Sequence, residues 1–334
     1  MKVLILRFSS IGDIVLTTPV VRGLKQQIPG AEIHFCTKRA YASLIEHNPF
    51  IDRCHYLDSS LWVLVRRLQA ERFDLIIDLH NNVRTSLIKA ALLTKAHTVN
   101  KLNIRKWVYV RWKWNVMPEE HIVDRYMATV QPLGVAEDGF GLDYFIPDRD
   151  QISKTELPLT HQLAYVAYAI GGQHATKRLP VGPMIELCKK IDAPIVLLGD
   201  AEDRETGDAV VQALGSQLIY NACGQYSLNQ SASLLQQAQV VFSHDTGLMH
   251  MAAALKKTVY SIWGSTTFQL GMYPYKTRYV LIENKGLSCR PCSKIGHNQC
   301  PKQHFRCMND LSFESVESVQ SSVWSETDKL VQTS

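Results

Sequence analysis

Apolar and polar positions along the chain fall into two repeating series. Lys2 to Phe8 is a continuous Val, Ile and Leu run, too apolar for a half-exposed sheet, and predicts a central parallel strand. It empties into Ser9-Ser10-Ile11-Gly12-Asp13, a tight polar turn, and then a helix on which Ile14, Leu16, Val20, Val21, Leu24 and Ile28 largely face inward before Pro29-Gly30 stops it. The order repeats as strand 31–37, helix 40–46, strand 53–57, helix 61–71, strand 73–79 and helix 84–93, with a further helix at 120–133. A second series follows a crossing at 145–158: strand 163–170, a polar, basic loop from Gly171 to Arg178, a helix opened by Pro180, strand 195–198, and helices 202–214 and 227–237. Strands alternating with helices predict parallel sheets covered by helices. The expected class is α/β, with doubly wound domains at 1–147 and 158–311. The tail 312–334, carrying Val316, Val319, Val323 and Leu330, predicts a helix packed back across them.

The second series closes on Val240 to Leu255, a short apolar strand, an abrupt turn and a helix. Asp245 or Thr246 can cap the helix, and Leu248, Met251, Ala252 and Leu255 form an inward stripe at i, i+3, i+4 and i+7. The opposite side leaves His250 near the helix start, where unpaired backbone N–H groups and the helix dipole favour a phosphate. Alone, Asp-Thr-Gly reads first as a structural helix cap. Strand 258–263 and the turn Gly264-Ser265-Thr266-Thr267 then place a second phosphate-sized turn at the neighbouring strand end.

A chain of 334 residues with 46% hydrophobic content supports two well-filled cores. No run approaches the roughly 20 apolar residues of a spanning helix, and Arg7 interrupts the N-terminal run, so a cytoplasmic location is expected. The net charge of +5 equals Lys101, Arg105, Lys106, Arg111 and Lys113, which share a segment without acids. A local surplus of this kind suits a local anionic partner better than nucleic acid. Within 104–114 these cations interleave with Trp107, Tyr109, Trp112 and Trp114, which fits a membrane interface or, equally, a domain-edge helix with Trp in the core and cations in water. Four of the eight cysteines, Cys36, Cys54, Cys188 and Cys223, read as small core residues. Cys289, Cys292, Cys300 and Cys307, with His297 and His304 among them, form a cluster whose readings are structural zinc, a disulfide, or the preferred one, a thiol-lined loop.

A diphosphate-bearing donor needs neutralisation where charge develops, and Lys177, Arg178 and the turn at Asp245-Thr246-Gly247 supply it. An acceptor hydroxyl needs a base. Asp13 is the candidate, at a strand exit beside Gly12 where a substrate can approach the backbone; a helix cap is its plain alternative. There is no Gly-x-x-x-x-Gly-Lys-Ser/Thr, no Gly-x-Gly-x-x-Gly after the first strand and no His-Glu-x-x-His, which turns the reading away from kinases, dehydrogenases and zinc proteases.

Phe8-Ser9-Ser10-Ile11-Gly12-Asp13, Thr176-Lys177-Arg178, Gly199-Asp200-Ala201-Glu202 and Asp245-Thr246-Gly247-Leu248-Met249-His250 resemble the glycosyltransferase family 9 heptosyltransferases over nearly the whole chain. The resemblance implies GT-B architecture, two Rossmann-like domains facing a central cleft, and metal-independent inverting transfer of heptose from ADP-heptose to a lipid A–Kdo lipopolysaccharide acceptor. It implies no cofactor. Carried onto this sequence, Asp13 is the base, Lys177 the diphosphate contact, Glu202 a donor ribose or base contact, and Asp245, Thr246, Gly247 and His250 the donor cradle, with Ser10, Gly12, Thr176 and Arg178 as further substrate contacts. The clustered tryptophans and cations, for their part, make Arg105, Lys106, Trp107, Arg111 and Trp112 the candidate contacts with an anionic lipid acceptor or the cytoplasmic face of the inner membrane. Leu179 stands where family members often carry Trp, which leaves the sugar open. A family 9 transferase using another sugar or acceptor, or a GT-B nucleotide-sugar epimerase, is the alternative.

Overall fold

The computed structural model describes residues 1–316 and divides the chain into two units, so the expected tail helix, beyond the single turn Glu314–Val316, lies outside the described residues. The first unit comprises Met1–Asn103 and Glu119–Phe145. Its elements are β1 (Lys2–Leu6), α1 (Ile11–Val15), α2 (Thr18–Gln27), β2 (Glu32–Lys38), β3 (Arg53–Leu57), α3 (Leu61–Glu71), β4 (Leu75–Asp78), α4 (Val83–Leu92) and β5 (Ala96–Thr98); α5 (Asn103–Trp112) intervenes before α6 (Ile122–Met127). The sheet is parallel in the order β3-β2-β1-β4-β5, with Val3 opposite Ile33 on one side and Leu75 on the other. Val3 to Leu6 have no exposed surface, which is why β1 shows no polar alternation. The helix expected after it is two helices. Pro19 in the first turn of α2 has no N–H to donate backward, so the chain restarts at Thr17, whose hydroxyl bonds Ile14 O at 2.7 Å. Segment 40–46 is a 3₁₀ turn, Arg39–Leu44, rather than an α-helix.

The second unit comprises Ile104–Pro118 and the chain from Ile146 onward. Segment 104–118 therefore does not belong with the first domain, where the boundary at 147 had placed it. Tyr109 of α5 is buried, with its hydroxyl 3.5 Å from Thr267 Oγ1, and Lys113 Nζ donates to Pro291 O at 2.7 Å. The unit continues with β6 (Val166–Ala169), α7 (Val181–Ile191), β7 (Ile195–Leu198), α8 (Arg204–Leu214), β8 (Ile219–Asn221), α9 (Leu228–Gln237), β9 (Val240–His244), α10 (Gly247–Ala254), β10 (Thr258–Trp263), β11 (Tyr279–Glu283) and α11 (Arg306–Asn309). Its sheet, also parallel, runs β11-β10-β9-β6-β7-β8. Strands β5, β8 and β11 are the unpredicted ones; all three are edge strands with mostly half-buried residues, β5 and β8 only three residues long, whereas β11 carries the apolar run Tyr279 to Ile282.

Candidate active site

In a doubly wound sheet, ligands bind outside the strand C-termini where the connections reverse direction. The first sheet reverses between β1 and β4, and Asp13 sits beyond β1. Ser10 is the N-cap of α1 and Asp13 its third residue, so Asp13 is not the cap itself; Asp13 Oδ2 accepts from Ser10 N at 3.2 Å and Ser10 Oγ at 2.8 Å. Its other oxygen meets Arg7 Nη2 at 2.6 Å. Arg7 is buried and also donates to Leu79 O, Ser9 O and Tyr126 Oη. Burial opposes the Arg7 charge, but Asp13, Tyr126 and Asp78 together more than offset it, so the guanidinium's pKa is raised. His80, beyond β4, accepts from Phe8 N through Nδ1 at 3.3 Å; burial, then the Arg7 and Lys101 charges, lower its pKa to about 4, so the ring is neutral at pH 7. Ser10 is exposed and Gly12 buried beneath the turn.

The second sheet reverses between β6 and β9, and the loops leaving those strands carry Lys177 and Asp245. Lys177 Nζ lies 2.7 Å from Asp245 Oδ2, which also accepts from Thr266 Oγ1 at 2.8 Å. Thr266 belongs to the turn after β10, so the three loops are tied at one point beside Thr246, the N-cap of α10. Two glycines let the β6 loop come this close. A Cβ at Gly171 would collide with Asp203 Oδ2, and one at Gly172 would press on Thr246 and Arg178 at 3.2 and 3.3 Å. His244 fastens the same loop from below: it is fully buried, burial lowers its pKa to about 4, and its Nε2 accepts from Leu179 N at 3.0 Å.

Other expected donor contacts are placed differently. Thr176 is 2% exposed and its hydroxyl is engaged by Ser265 Oγ, His297 O and His297 N, which makes it a loop tie rather than a surface for ligand. His250 is 2% exposed, because α10 is covered on nearly every side and not only along its predicted stripe. Arg178 pairs with Asp203 at 3.4 Å, and Glu202 stands exposed in the turn Ala201–Asp203, which Asp200 caps. Burial raises the Asp203 pKa against the pull of Arg178.

The cysteine segment braces this site. Arg290, between Cys289 and Cys292, is buried and donates to Gly264 O, Trp263 O, Thr266 O and Asn284 O while pairing with Glu283 at 3.0 Å. Cys292 N donates to Ser265 O at 2.8 Å, so the segment holds the turn after β10 from behind. All four of its cysteines are free thiols; burial, then Cys289, raises the Cys292 pKa to about 11. Among the described residues one group has three potential metal-ligating atoms within 4.8 Å of one another, namely His34, His55 and Glu71. Glu71 there is already held by Arg53 and Lys2.

Comparison with known proteins identifies the family and the fold. The family model for glycosyltransferase family 9 (heptosyltransferase) matches residues 61–303. Lipopolysaccharide heptosyltransferase 1 of Pseudomonas aeruginosa is 24% identical, covering 94% of this chain and 92% of its own, and that of Escherichia coli is 25% identical, covering 80% and 88%. Among solved structures, the E. coli ADP-heptose heptosyltransferase II has a TM-score of 0.72 at 18% identity, covering 98% of this chain and all of its own. The E. coli heptosyltransferase WaaC with ADP gives 0.65 at 23%, covering 84% and 93%. Two parallel doubly wound units of this kind, together with the match to the family model, make the chain a glycosyltransferase of the GT-B fold. The chain belongs to glycosyltransferase family 9, the heptosyltransferase family.

Proposed function

We propose that the enzyme moves heptose from ADP-heptose to a hydroxyl of the lipopolysaccharide inner core with inversion at the anomeric carbon. The observation that carries this reading is Lys177 fixed by Asp245 at the reversal of the second sheet, beside the start of α10. A cation and a helix N-terminus at that place suit a nucleoside diphosphate, and both stabilise it more as it departs and gains charge. In the first unit Asp13 takes the acceptor proton as the hydroxyl attacks in line, while Arg7 and Ser10 hold the carboxylate in one orientation. Glu202, Thr246 and Gly247 complete the donor site in this reading, with His250 shaping it from within the helix.

The acceptor is lipid-anchored, and α5 has the chemistry to meet its membrane. Trp107, Trp112 and Trp114 are 55%, 50% and 68% exposed, Trp107 edge-on to Trp112 and Trp114 tilted against it, with Arg105 and Arg111 exposed among them. Among the described residues no helix is long and apolar enough to cross a membrane, so contact would be peripheral. The test is turnover of ADP-heptose with defined inner-core acceptors and with donor alone. ADP release that requires acceptor supports the reading; conversion of the sugar without acceptor overturns it.

A further inference from the structure

Four arginines are buried among the described residues, and three are saturated. Arg7 has four partners, Arg22 is clasped by Asp138, Asp143 and Gly141 O, and Arg290 fills its fork with carbonyls and Glu283. Arg125 on α6 is the exception. It is 4% exposed, and its Nε, Nη1 and Nη2 are all buried with no hydrogen-bond partner. A guanidinium has five N–H donors and no acceptor, so leaving all of them unmet away from water is costly. Burial accordingly lowers its pKa, with Glu120 pulling the other way.

Arg125 lines a cavity of about 370 Å³ together with His97, Thr98, Asn100, Glu120 and Thr129, at the C-terminal end of β5. That is the end of the sheet at which Asp13 stands. The wall is rich in donors. Thr98 Oγ1 accepts from Lys89 Nζ at 2.9 Å, which leaves its hydroxyl proton to give, and Asn100 Oδ1 accepts from Leu102 N at 3.0 Å, which leaves its amide N–H groups. His97 Nδ1 is bonded to Thr129 O at 2.8 Å and Thr129 Oγ1 donates to Tyr126 O, so those two brace the wall. Glu120 opposes an anion there but makes no bond to Arg125.

We propose that this cavity is an oxyanion subsite that takes one carboxylate or phosphate group in the fork of Arg125, with the Thr98 hydroxyl and Asn100 amide as additional donors. The planar fork matches both ligands in a way that a lysine would not.

The test uses the full chain and inorganic phosphate. Phosphate at about ten times its Kd should raise Tm by about 3 °C in the parent and leave Arg125→Met and Thr98→Val unmoved or nearly so. Without phosphate, Arg125→Met should melt no lower than the parent, since it removes an unmet charge. No shift in the parent, or an equal shift in both variants, overturns the subsite. A lower Tm for Arg125→Met without phosphate, with the parent indifferent to phosphate, overturns it too and makes Arg125 structural. A second arm, which rests on the proposed transferase reading, identifies the source of the anion. Phosphate competing with glycolipid acceptor, together with an acceptor KM raised about tenfold in Arg125→Met at little change in kcat, supports an anionic group of the acceptor. Phosphate binding with unchanged KM supports a free anion. The first arm needs no acceptor, so its failure and that of the transferase reading are separable.

Discussion

Asp13 answers to two neighbours, and each makes its own forecast. Its Oδ2 closes the Ser10 capping box and its Oδ1 neutralises Arg7, so substitution disturbs both stability and chemistry. Asp13→Asn still accepts hydrogen bonds, and Arg7 keeps three other acceptors, so a loss of about 1–3 kcal/mol is expected in chemical denaturation. As a base it is irreplaceable by an amide, and turnover should fall at least about a hundredfold with ADP binding near normal. Retention of more than about a tenth of turnover would reduce Asp13 to its structural duties. On the proposed role of Lys177 as diphosphate contact, Lys177→Ala should weaken ADP binding, measured calorimetrically, as well as rate, because that contact is made before and during departure. Both residues were legible because small polar turns at strand exits stand out against apolar runs. Arg7 was legible only as an interruption of such a run, and its partners Leu79 and Tyr126 lie 72 and 119 residues away, which no local pattern records.

Among the elements, β9, α10 and β10 show what periodicity can and cannot reach. The bounds of β9 and β10 follow their apolar runs closely, yet the amphipathic reading of α10 fails: Met249 and His250 are buried with Met251 and Ala252, while Leu248 and Leu255 of the predicted stripe are only half-buried. Packing against α9 and both strands covers the side that sequence left open. The segment after β11 reads as cysteine spacing, while its work is done by the arginine between the thiols. Arg290→Met would strand the buried Glu283 and four carbonyls, so a loss of about 3–5 kcal/mol is expected, with ADP affinity falling as the turn at Gly264–Thr267 loosens. Parallel thermal and ADP-binding measurements check it; an unchanged Tm would remove Arg290 as the brace. For α5, replacing Arg105, Lys106 and Arg111 by Ala should weaken sedimentation with anionic vesicles by orders of magnitude at low salt, at about 1 kcal/mol per cation. Unchanged sedimentation would assign the exposed tryptophans to another surface.

Over the described residues, buried histidines make stability depend on mild acid, His161 among them, its pKa lowered by burial. His55, His80 and His244 have pKa values lowered to about 4, by burial first in each case, against about 6.5 in the unfolded chain. Their stabilising contribution is complete above about pH 6.5 and is lost as pH falls toward 4, because the unfolded chain takes up protons the native one refuses. For the fully buried His244 the slope is about 1.4 kcal/mol per pH unit within that window, so His244→Gln should flatten the fall in unfolding free energy between pH 6 and 5 by that amount. An equal fall in parent and variant would show that His244 titrates freely. The two-unit plan was readable from the alternation of strands and helices, but its boundary was not, since α5 is continuous in sequence with the first unit and docks on the second. That docking sets an order on biosynthesis. Tyr109 and Lys113 leave the ribosome more than 150 residues before Thr267 and Pro291, their partners in the second unit. The nascent chain therefore carries the Tyr109 side of α5 uncovered, beside tryptophans that stay exposed even in the folded protein, until that later segment is made, and a fragment ending near residue 145 would keep that side permanently bare. Such a fragment is expected to aggregate unless 104–118 is excised from it, whereas a second-half fragment should fold well only when that peptide is supplied in trans.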